Sequence, residues 1–594
     1  MNIFLPQCPQ ARIELEEIAD VQRNIITPAL SVPIIGIVQD GLLGAYNLTQ
    51  ATTKVDWKSA MNMASYTSNE DFSSFNKKEG EYSGADIYSL IIPKKINVSG
   101  DFEVKNGQIV KGILKKNMLG SKAENSLIHL IWDIYGHKET RQFLDDNQRL
   151  INNFNMWNGF SVGIGDIHVP KDVEEQLSKL FDQKKLEIDH MITEMENNPD
   201  LIPADVFEDT ILAELSKLGG DSSKLIMNNL KSTNNINVMI LSGSKGSASN
   251  MGEMAACLGQ QKIEGKRPQK RLNGRTMPYF FQGNDSAEAR GFVDQPFGKG
   301  NTPTGFIFHN MGAREGIIDT GIKTAESGYV QRKLIKSLED VVVKYDNTVR
   351  TANDAIVQYI YGDNGVNTTK QFGYTFKMLE MGNKAIADKI KFSAQELKNF
   401  KKFSAKINDD HVKQIIELRN IIRNSRMRSA QNNITFDSKY HLPVNIKNII
   451  NTVKGMDLKG DNLEPDYVLN KLDELLDYKT TKITSLSEQD RKNKNSLKYQ
   501  DELLSKTIFR FALYELLSPK VCIFENNLNK AKFDMICDMI VIKFNRAIVE
   551  PGEMVGIVAA QSIGEPKRCG FKSILYANHT YCMVTLTNCR KILR

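Results

Sequence analysis

The chain has 594 residues, a formal net charge of +6 and seven cysteines. A chain of this length is too long for one hydrophobic core, so roughly three to five domains are expected. The mildly basic balance is compatible with nucleic-acid binding and with many other functions. No apolar run approaches the ~18 residues of a membrane span, and the first residues lack the pattern of a signal peptide. The sequence therefore argues against a membrane-spanning or secreted protein.

Residues 1–165 are predicted to form a domain of mixed α and β structure. Short β-prone runs occur at 34–40, 88–93, 108–114 and 126–132, and they are separated by Gly, Asn and Pro. These runs predict several short strands rather than one long sheet.

From about residue 170 the pattern becomes predominantly helical, so the fold class is predicted to be multidomain α+β. The clearest helical segment is 173–196, and we expect Gly219-Gly220 and the polar run 232–235 to separate the helices that follow. A helical hairpin is the natural interpretation. Residues 366–540, which are rich in Lys and Asn, are also predicted to be helical.

The most distinctive segment is 302–345. Thr302 followed by Pro303 predicts a helix start, and apolar residues then recur at spacings of three and four for about forty residues, roughly 60 Å of helix. Glycines at 312, 316, 321 and 328 interrupt it, and each costs about 1 kcal/mol in a helix interior. They predict either close approach by a partner or a place to bend. The alternative is a buried core helix with incidental glycines.

No autonomous catalytic motif is present. The segment GSKGS (243–247) does not have the residue order of a phosphate loop, and Gly163 and Gly165 begin a GxG whose third glycine position is occupied by His168. The eight histidines are dispersed, and one such as His309 is more often structural. The residues alone indicate a helical protein associated with nucleic acid.

Seven blocks together resemble the largest subunit of multisubunit DNA-dependent RNA polymerases, of the eukaryotic polymerase II-like, archaeal and large-DNA-virus type. They follow the order and approximate spacing of that family: GIVQDGLLG (36–44), NGFSVGIGD (158–166), GSKGSASNMGEMAACLGQQKIEGKR (243–267), the 302–345 segment, YDNTVR (345–350), QYIYGDNG (358–365) and VEPGEMVGIVAAQSIGEP (549–566).

The resemblance implies a domain organisation, with a long bridge helix near 303–340. Residues 1–165 would form a pore-type domain and 166–300 a helical funnel. Residues 301–365 would contain the bridge helix and the segment after it, 366–540 a foot-like region, and 541–566 the base of the trigger loop. Residues 567–594 match nothing in the family.

The resemblance also implies roles for individual residues. Lys245 corresponds to a lysine of the pore through which nucleotides enter, and would bind triphosphate. Thr324 and Ala325 correspond to the bridge-helix pair under the template base, and we expect Gln260 and Gln261 to be structural. Three further residues would contact the template backbone: Tyr329, Arg332 and Lys333. Gln561 would lie at the base of the trigger loop.

The implied activity is template-dependent RNA synthesis by nucleotidyl transfer with Mg²⁺. The implied partners are the DNA template, the RNA product, ribonucleoside triphosphates, and the second-largest and smaller subunits. No membrane is implied. The location would be intracellular: the nucleus of a cell, or the host cytoplasm or virion of a large DNA virus.

The two ends depart from the family pattern. The aspartate loop that holds Mg²⁺ is expected just upstream of Met1, so we expect no catalytic residue and no metal ligand in this chain. After Pro566 the trigger-loop sequence does not continue, which favours a coding segment between two interruptions, with the tail read from an intron or intein. Cys569, His579, Cys582 and Cys589 have no standard zinc-ligand spacing, so no zinc site is expected. The alternative function is a non-catalytic template-binding or assembly fragment, inactive alone.

Overall fold

The computed structural model describes residues 3–69, 71–72, 80–197, 203–271, 273–398, 400, 403–431 and 439–569. The sequence predicts an unmatched tail from residue 567, and residues 570–594 of that tail lie outside the described residues. Helices account for most of the described residues, and the strands form small antiparallel sheets of two or three members. This is the multidomain α+β class that the sequence predicts.

The N-terminal part is a layer of helices around three two-stranded sheets. Its core contains Tyr88, Ile128, Phe143 and Leu150, all nearly inaccessible to solvent. The helices are α1 (Pro9–Glu14), α2 (Gln39–Leu48), α3 (Trp57–Ser65), α4 (Gly84–Ser89), α5 (Lys116–Leu119), α6 (Leu127–Tyr135) and α7 (His137–Asn158). The strand pairs are β1 (Ile26–Thr27) with β2 (Val32–Pro33), β3 (Lys54–Asp56) with β4 (Glu81–Ser83), and β5 (Glu103–Lys105) with β6 (Gln108–Lys111).

Only one of the four β-prone runs contains a strand, β6. The run 126–132 is helix α6 instead, because Ser126 caps it by accepting a hydrogen bond from His129 N at 3.3 Å. Its apolar residues are buried on successive positions, as in a core helix. A short apolar run of this kind fits a buried helix as well as a buried strand.

The predicted helical hairpin is present as α8 (Lys171–Asn197) and α9 (Ala204–Asn229), which pack through Phe181, Ile188, Ile211 and Leu215. The expected break at Gly219-Gly220 is wrong, because α9 continues through both glycines. Two shorter helices follow, α10 (Asn235–Ser242) and α11 (Ala248–Ala255).

The stretch between α11 and the long helix is mostly irregular. Its regular structure is the short pair β7 (Gly259–Gln260) with β8 (Phe292–Val293). Glycines with positive φ punctuate it, at 265, 274, 283, 291 and 300. Glycine adopts this backbone region without steric cost, so the chain turns repeatedly here instead of forming helix.

The long helix α12 runs from Pro303 to Leu338. It ends short of Tyr345, because the β-branched residues Val341, Val342 and Val343 follow and the last two form a strand. That strand, β9 (Val342–Val343), pairs with β10 (Val349–Arg350), which pairs with β11 (Ile356–Gln358).

The C-terminal part surrounds a core that includes Phe511, Leu513, Phe533 and Phe544. Within this mainly helical region β12 (Phe372–Thr375) pairs with β13 (Lys439–Leu442). The helices are α13 (Asn383–Ile390), α14 (Ala394–Leu397), α15 (Ala405–Gln431), α16 (Ile446–Lys454), α17 (Pro465–Leu476), α18 (Glu488–Lys492), α19 (Leu497–Ser505), α20 (Thr507–Leu517), α21 (Lys530–Ala547) and α22 (Val555–Cys569).

The N-terminal and C-terminal parts meet through buried side chains. Asp133 of α6 forms a salt bridge of 2.5 Å with Lys543 of α21, and both side chains are largely buried. One turn before Asp133, the ring of His129 stacks on Phe372 at 4.7 Å between centroids. None of the helices in the described residues combines the length and hydropathy of a membrane-crossing segment.

Candidate nucleic-acid interface

Nearly all residues of helix α12 are at least partly exposed to solvent. Thr302 caps it as predicted, since its hydroxyl accepts a hydrogen bond from Gly305 N at 3.2 Å. Of its 36 residues, Gly305, Phe308 and Ser327 alone are buried. At about 1.5 Å per residue the helix is roughly 54 Å long. A surface helix of this length normally buries a continuous apolar stripe, and this one does not.

Exposed apolar side chains follow the helix. Ile317 is 74% exposed and Ile322 is 55% exposed, although isoleucine is among the residues most often buried. The full set of large exposed hydrophobic residues on the helix is Phe306, Ile307, Met311, Ile317, Ile318, Ile322 and Tyr329. A run of exposed apolar side chains marks a binding surface.

The structure brings four of the five predicted template-binding residues together. Ala325, Tyr329 and Arg332 share one face, because their spacing of four and three places them on successive turns. The ammonium group of Lys333 lies 3.9 Å from the centroid of the Tyr329 ring. All four residues are exposed.

Thr324, the fifth predicted residue, is exposed. It lies on the adjacent row of side chains along the helix, in line with Gln331. Its hydroxyl donates a hydrogen bond to the Thr320 carbonyl at 2.6 Å. Ser327 Oγ donates in turn to the Thr324 carbonyl at 3.1 Å. Thr324 therefore borders the Ala325 face instead of belonging to it.

The opposite face of α12 is covered by α22. A Cβ added at Gly556 would lie 2.0 Å from the Leu338 carbonyl oxygen, and one added at Gly564 would lie 2.5 Å from Gln331 Cγ. Ala560, one turn from each glycine, is fully buried. Small residues at four-residue spacing thus let the two helices pack closely. The sequence interpretation missed this role, although the spacing Gly556, Ala560, Gly564 was visible. Gln561, the predicted trigger-loop residue, is exposed on α22.

The N-terminal half of α12 is lined by segment 259–264. Gln261 Oε1 lies 3.2 Å from His309 Nδ1, and the Glu315 carboxylate accepts a hydrogen bond from Glu264 N at 2.8 Å. Gln260 donates to the Arg290 carbonyl at 2.8 Å. The first two contacts join the segment to the helix and the third joins it to the residues before β8, so they support a structural role for both glutamines and for His309.

A buried charge cluster holds the same irregular segment against α9. Arg290 pairs with Glu208 at 3.0 Å and with Asp285 at 2.6 Å, while Arg267 lies 3.6 Å from Glu208. Burial lowers the pKa of Arg267 to about 10, so the guanidinium stays charged at neutral pH. The sequence interpretation missed this cluster, because its members are far apart in the chain and no motif connects them.

Lys245 lies on the loop between α10 and α11. Gly243 and Gly246 flank it with φ of 76° and 79°, a left-handed backbone that favours glycine. The lysine side chain is exposed. Its ammonium group is therefore presented on a tight turn, free to meet an anion. The loop and the Ala325 face are two separate exposed features.

Within the described residues, no group of three or more His, Cys, Asp or Glu side chains is arranged to hold a metal ion. The polar groups on and around α12 are amides, hydroxyls, cations and separate carboxylates such as Glu315 and Asp319. The first three kinds of group can contact phosphate oxygens and bases, but none of these groups supplies a set of carboxylate ligands for Mg²⁺.

Three family descriptions match consecutive parts of the chain. RNA polymerase Rpb1, domain 3 matches residues 24–167, domain 4 matches 187–293, and domain 5 matches 300–568. The first of these covers most of the N-terminal part, and the second runs from within α8 through α9 into the irregular segment. The third contains α12 and α22.

A relative in Acanthamoeba polyphaga mimivirus, the DNA-directed RNA polymerase subunit 1, is 34% identical over 585 residues. That match covers 95% of this chain and 38% of the viral protein, so the chain spans well under half the length of this relative. The family match and the relative agree with the seven sequence blocks. The chain belongs to the family of the largest subunits of multisubunit RNA polymerases.

Proposed function

We propose that this chain acts as part of a DNA-directed RNA polymerase and contributes α12 as the bridge helix. The observation that carries the proposal is a 36-residue helix with three buried residues and an exposed apolar surface. Most helical stability in proteins comes from packing, so such a helix requires a partner on its open side. Nucleic acid and the other polymerase subunits are the partners we assign to it.

The open face suits a base pair followed by a phosphate backbone. Gly321, Ala325 and Gly328 lie close together on it, and a Cβ at either glycine would meet nothing within 4 Å. The patch formed by these three small residues can support a flat base pair. Tyr329, Arg332 and Lys333 follow within two turns and would contact template phosphates, which position a strand without reading its sequence. Thr324 would border the same platform.

Lys245 is assigned to the incoming ribonucleoside triphosphate, because an exposed lysine on a glycine-flanked turn is a mobile point charge for phosphate oxygens. Gln561 is assigned to the base of the trigger loop. The remaining assignments are residues 1–165 as the pore-type domain, 166–300 as the funnel, 301–365 as the bridge helix with its following segment, 366–540 as the foot, and 541–566 as the trigger-loop base.

The family implies Mg²⁺ for nucleotidyl transfer, but the described residues contain no cluster of ligands that fits it. We therefore assign metal binding to none of these residues. The role proposed for this chain is to position the template and the nucleotide.

A bulky substitution at Thr324 tests the platform in the assembled polymerase. Thr324→Trp should abolish elongation on a primed template while leaving the melting temperature close to that of the parent. Thr210→Trp is the matched control, because Thr210 is also an exposed helical threonine bonded to the carbonyl four residues back, at 2.8 Å. Normal elongation by Thr324→Trp, or equal loss in both variants, would refute the placement of α12 against the template.

A further inference from the structure

Lys116, at the start of α5, is clamped between two glycines. A Cβ added at Gly243 would lie 2.6 Å from Lys116 Cβ and 3.1 Å from its Cδ. A Cβ at Gly120 would lie 2.6 Å from Lys116 Cγ. The aliphatic stem therefore runs through a slot that exists because both neighbours lack side chains. Lysine usually has a freely rotating stem, and here the stem is fixed.

The slot brings Lys116 next to the loop that carries Lys245. Gly243 precedes Lys245 by two residues, a distance of at most ~7 Å along the chain. The segment before Lys116 and the helix before the Lys245 loop are also joined by buried side chains. Ile113 and Met239 pack against a buried cluster of Leu43, Tyr46 and Val238. The two lysines thus lie on neighbouring segments from separate elements of the fold.

Both lysine side chains are exposed, and neither forms a salt bridge with any residue in the part of the chain that the structure describes. Two cations on neighbouring segments, without a carboxylate partner among the described residues, make this region locally positive. Charges arranged in this way raise the local concentration of anionic ligands.

We propose that Lys116 is a second phosphate-binding residue, which holds the polyphosphate of the incoming nucleoside triphosphate together with Lys245. The inference rests on the proposed function, since it extends the assignment of Lys245. A triphosphate is long enough and sufficiently charged to contact two ammonium groups at once, and the fixed stem of Lys116 reduces the entropy lost on binding.

The neighbouring residue, Lys115, supplies the control. It has the same charge and is also exposed, but it lines a different cleft, of about 660 Å³, with Asn125, Lys447 and Asn448. A general effect of positive charge on this surface would be the same for both lysines. A specific phosphate contact would distinguish them.

The experiment compares Lys116→Met and Lys115→Met in the assembled polymerase. Methionine keeps an unbranched stem in the slot and removes the charge. Lys116→Met should raise the KM for nucleoside triphosphate about three- to tenfold with kcat little changed, and Lys116→Arg should restore it. Lys115→Met should leave KM within twofold of the parent.

Equal KM values for the two methionine variants would overturn the inference. So would a defect in Lys116→Met confined to pyrophosphorolysis or to cleavage of backtracked RNA, since the bound phosphates would then belong to the product or the transcript. A Lys245→Ala variant separates the two proposals. If it uses nucleotide normally, the pore assignment itself fails; if it is impaired and Lys116→Met is not, only the inference about Lys116 fails.

Discussion

Replacing Gly556 with alanine should separate α22 from α12. The new methyl group would lie 2.0 Å from the Leu338 carbonyl oxygen and 2.8 Å from Val341 Cβ. The first of these neighbours is backbone at the end of α12, so it cannot rotate away as a flexible side chain could. Overpacking of this kind costs about 1–3 kcal/mol, which outweighs the ~1 kcal/mol that alanine gains over glycine in a helix. We expect net destabilisation of the contact.

Gly321→Ala is the matched control, because Gly321 is also helical and a Cβ there would meet nothing within 4 Å. It should stabilise α12 by up to ~1 kcal/mol. Amide hydrogen exchange measured on both helices reports the local free energy directly. Exchange in α22 should accelerate in Gly556→Ala, and exchange in α12 should slow in Gly321→Ala. If Gly556→Ala protected α22 as well as the parent does, the close packing described here would be wrong. In the assembled enzyme, Gly321→Ala should change the translocation rate more than the nucleotide affinity.

Three further perturbations test the site and the fold. Lys245→Ala should lower kcat/KM for nucleotide roughly ten- to a hundredfold, as expected for one lost charge-assisted contact, while Lys217→Ala on the exposed surface of α9 should have no effect. Asp133→Asn should lower the free energy of unfolding, measured in denaturant, by about 3 kcal/mol, because Lys543 would remain buried without its partner. Asp145→Asn, which removes the exposed pair with Arg141, should change that free energy little. His129 has its pKa lowered to about 4, mainly by burial, with Asp133 opposing and Lys543 reinforcing the shift. As pH falls, the imidazole is therefore protonated in the unfolded chain before it is protonated in the folded one. The free energy of unfolding should fall by about 1.4 kcal/mol per pH unit between pH ~6.5 and 4, and His129→Phe should remove that pH dependence.

The start of the long helix was predictable from sequence and its end was not. Thr302 and Pro303 carry a local signal, an N-cap hydroxyl followed by the residue most tolerated in the first turn. At the other end, apolar residues continue past Leu338 with no break, so periodicity alone extends the helix. The β-branched run Val341–Val343 enters a three-stranded sheet, and that outcome depends on strands distant in sequence.

The glycines show a second limit of sequence reasoning. The four glycines in the interior of α12 predict close approach by a partner or a place to bend, and Gly312 has such an approach within the chain, since a Cβ there would lie 3.1 Å from the Lys262 carbonyl oxygen. Gly316, Gly321 and Gly328 have no neighbour within 4 Å among the described residues. The closest backbone approach to α12 is instead at Gly556, on another helix. Glycine content indicates that close packing is possible, but only the fold shows where it occurs.

The covered face and the open face of α12 are mechanically coupled, because residues next to each other in the chain lie on the two faces. On the covered face, α22 touches the Leu338 carbonyl through Gly556 and the Gln331 side chain through Gly564, so at Leu338 the distance between the helices is set by backbone. Gln331, which packs on Gly564, lies one residue from Arg332 on the open face. A displacement of α22 must therefore move the turn of α12 that carries Tyr329, Arg332 and Lys333. For this reason the Gly556→Ala substitution, although it is on the far side of the helix, should also weaken template binding at the open face.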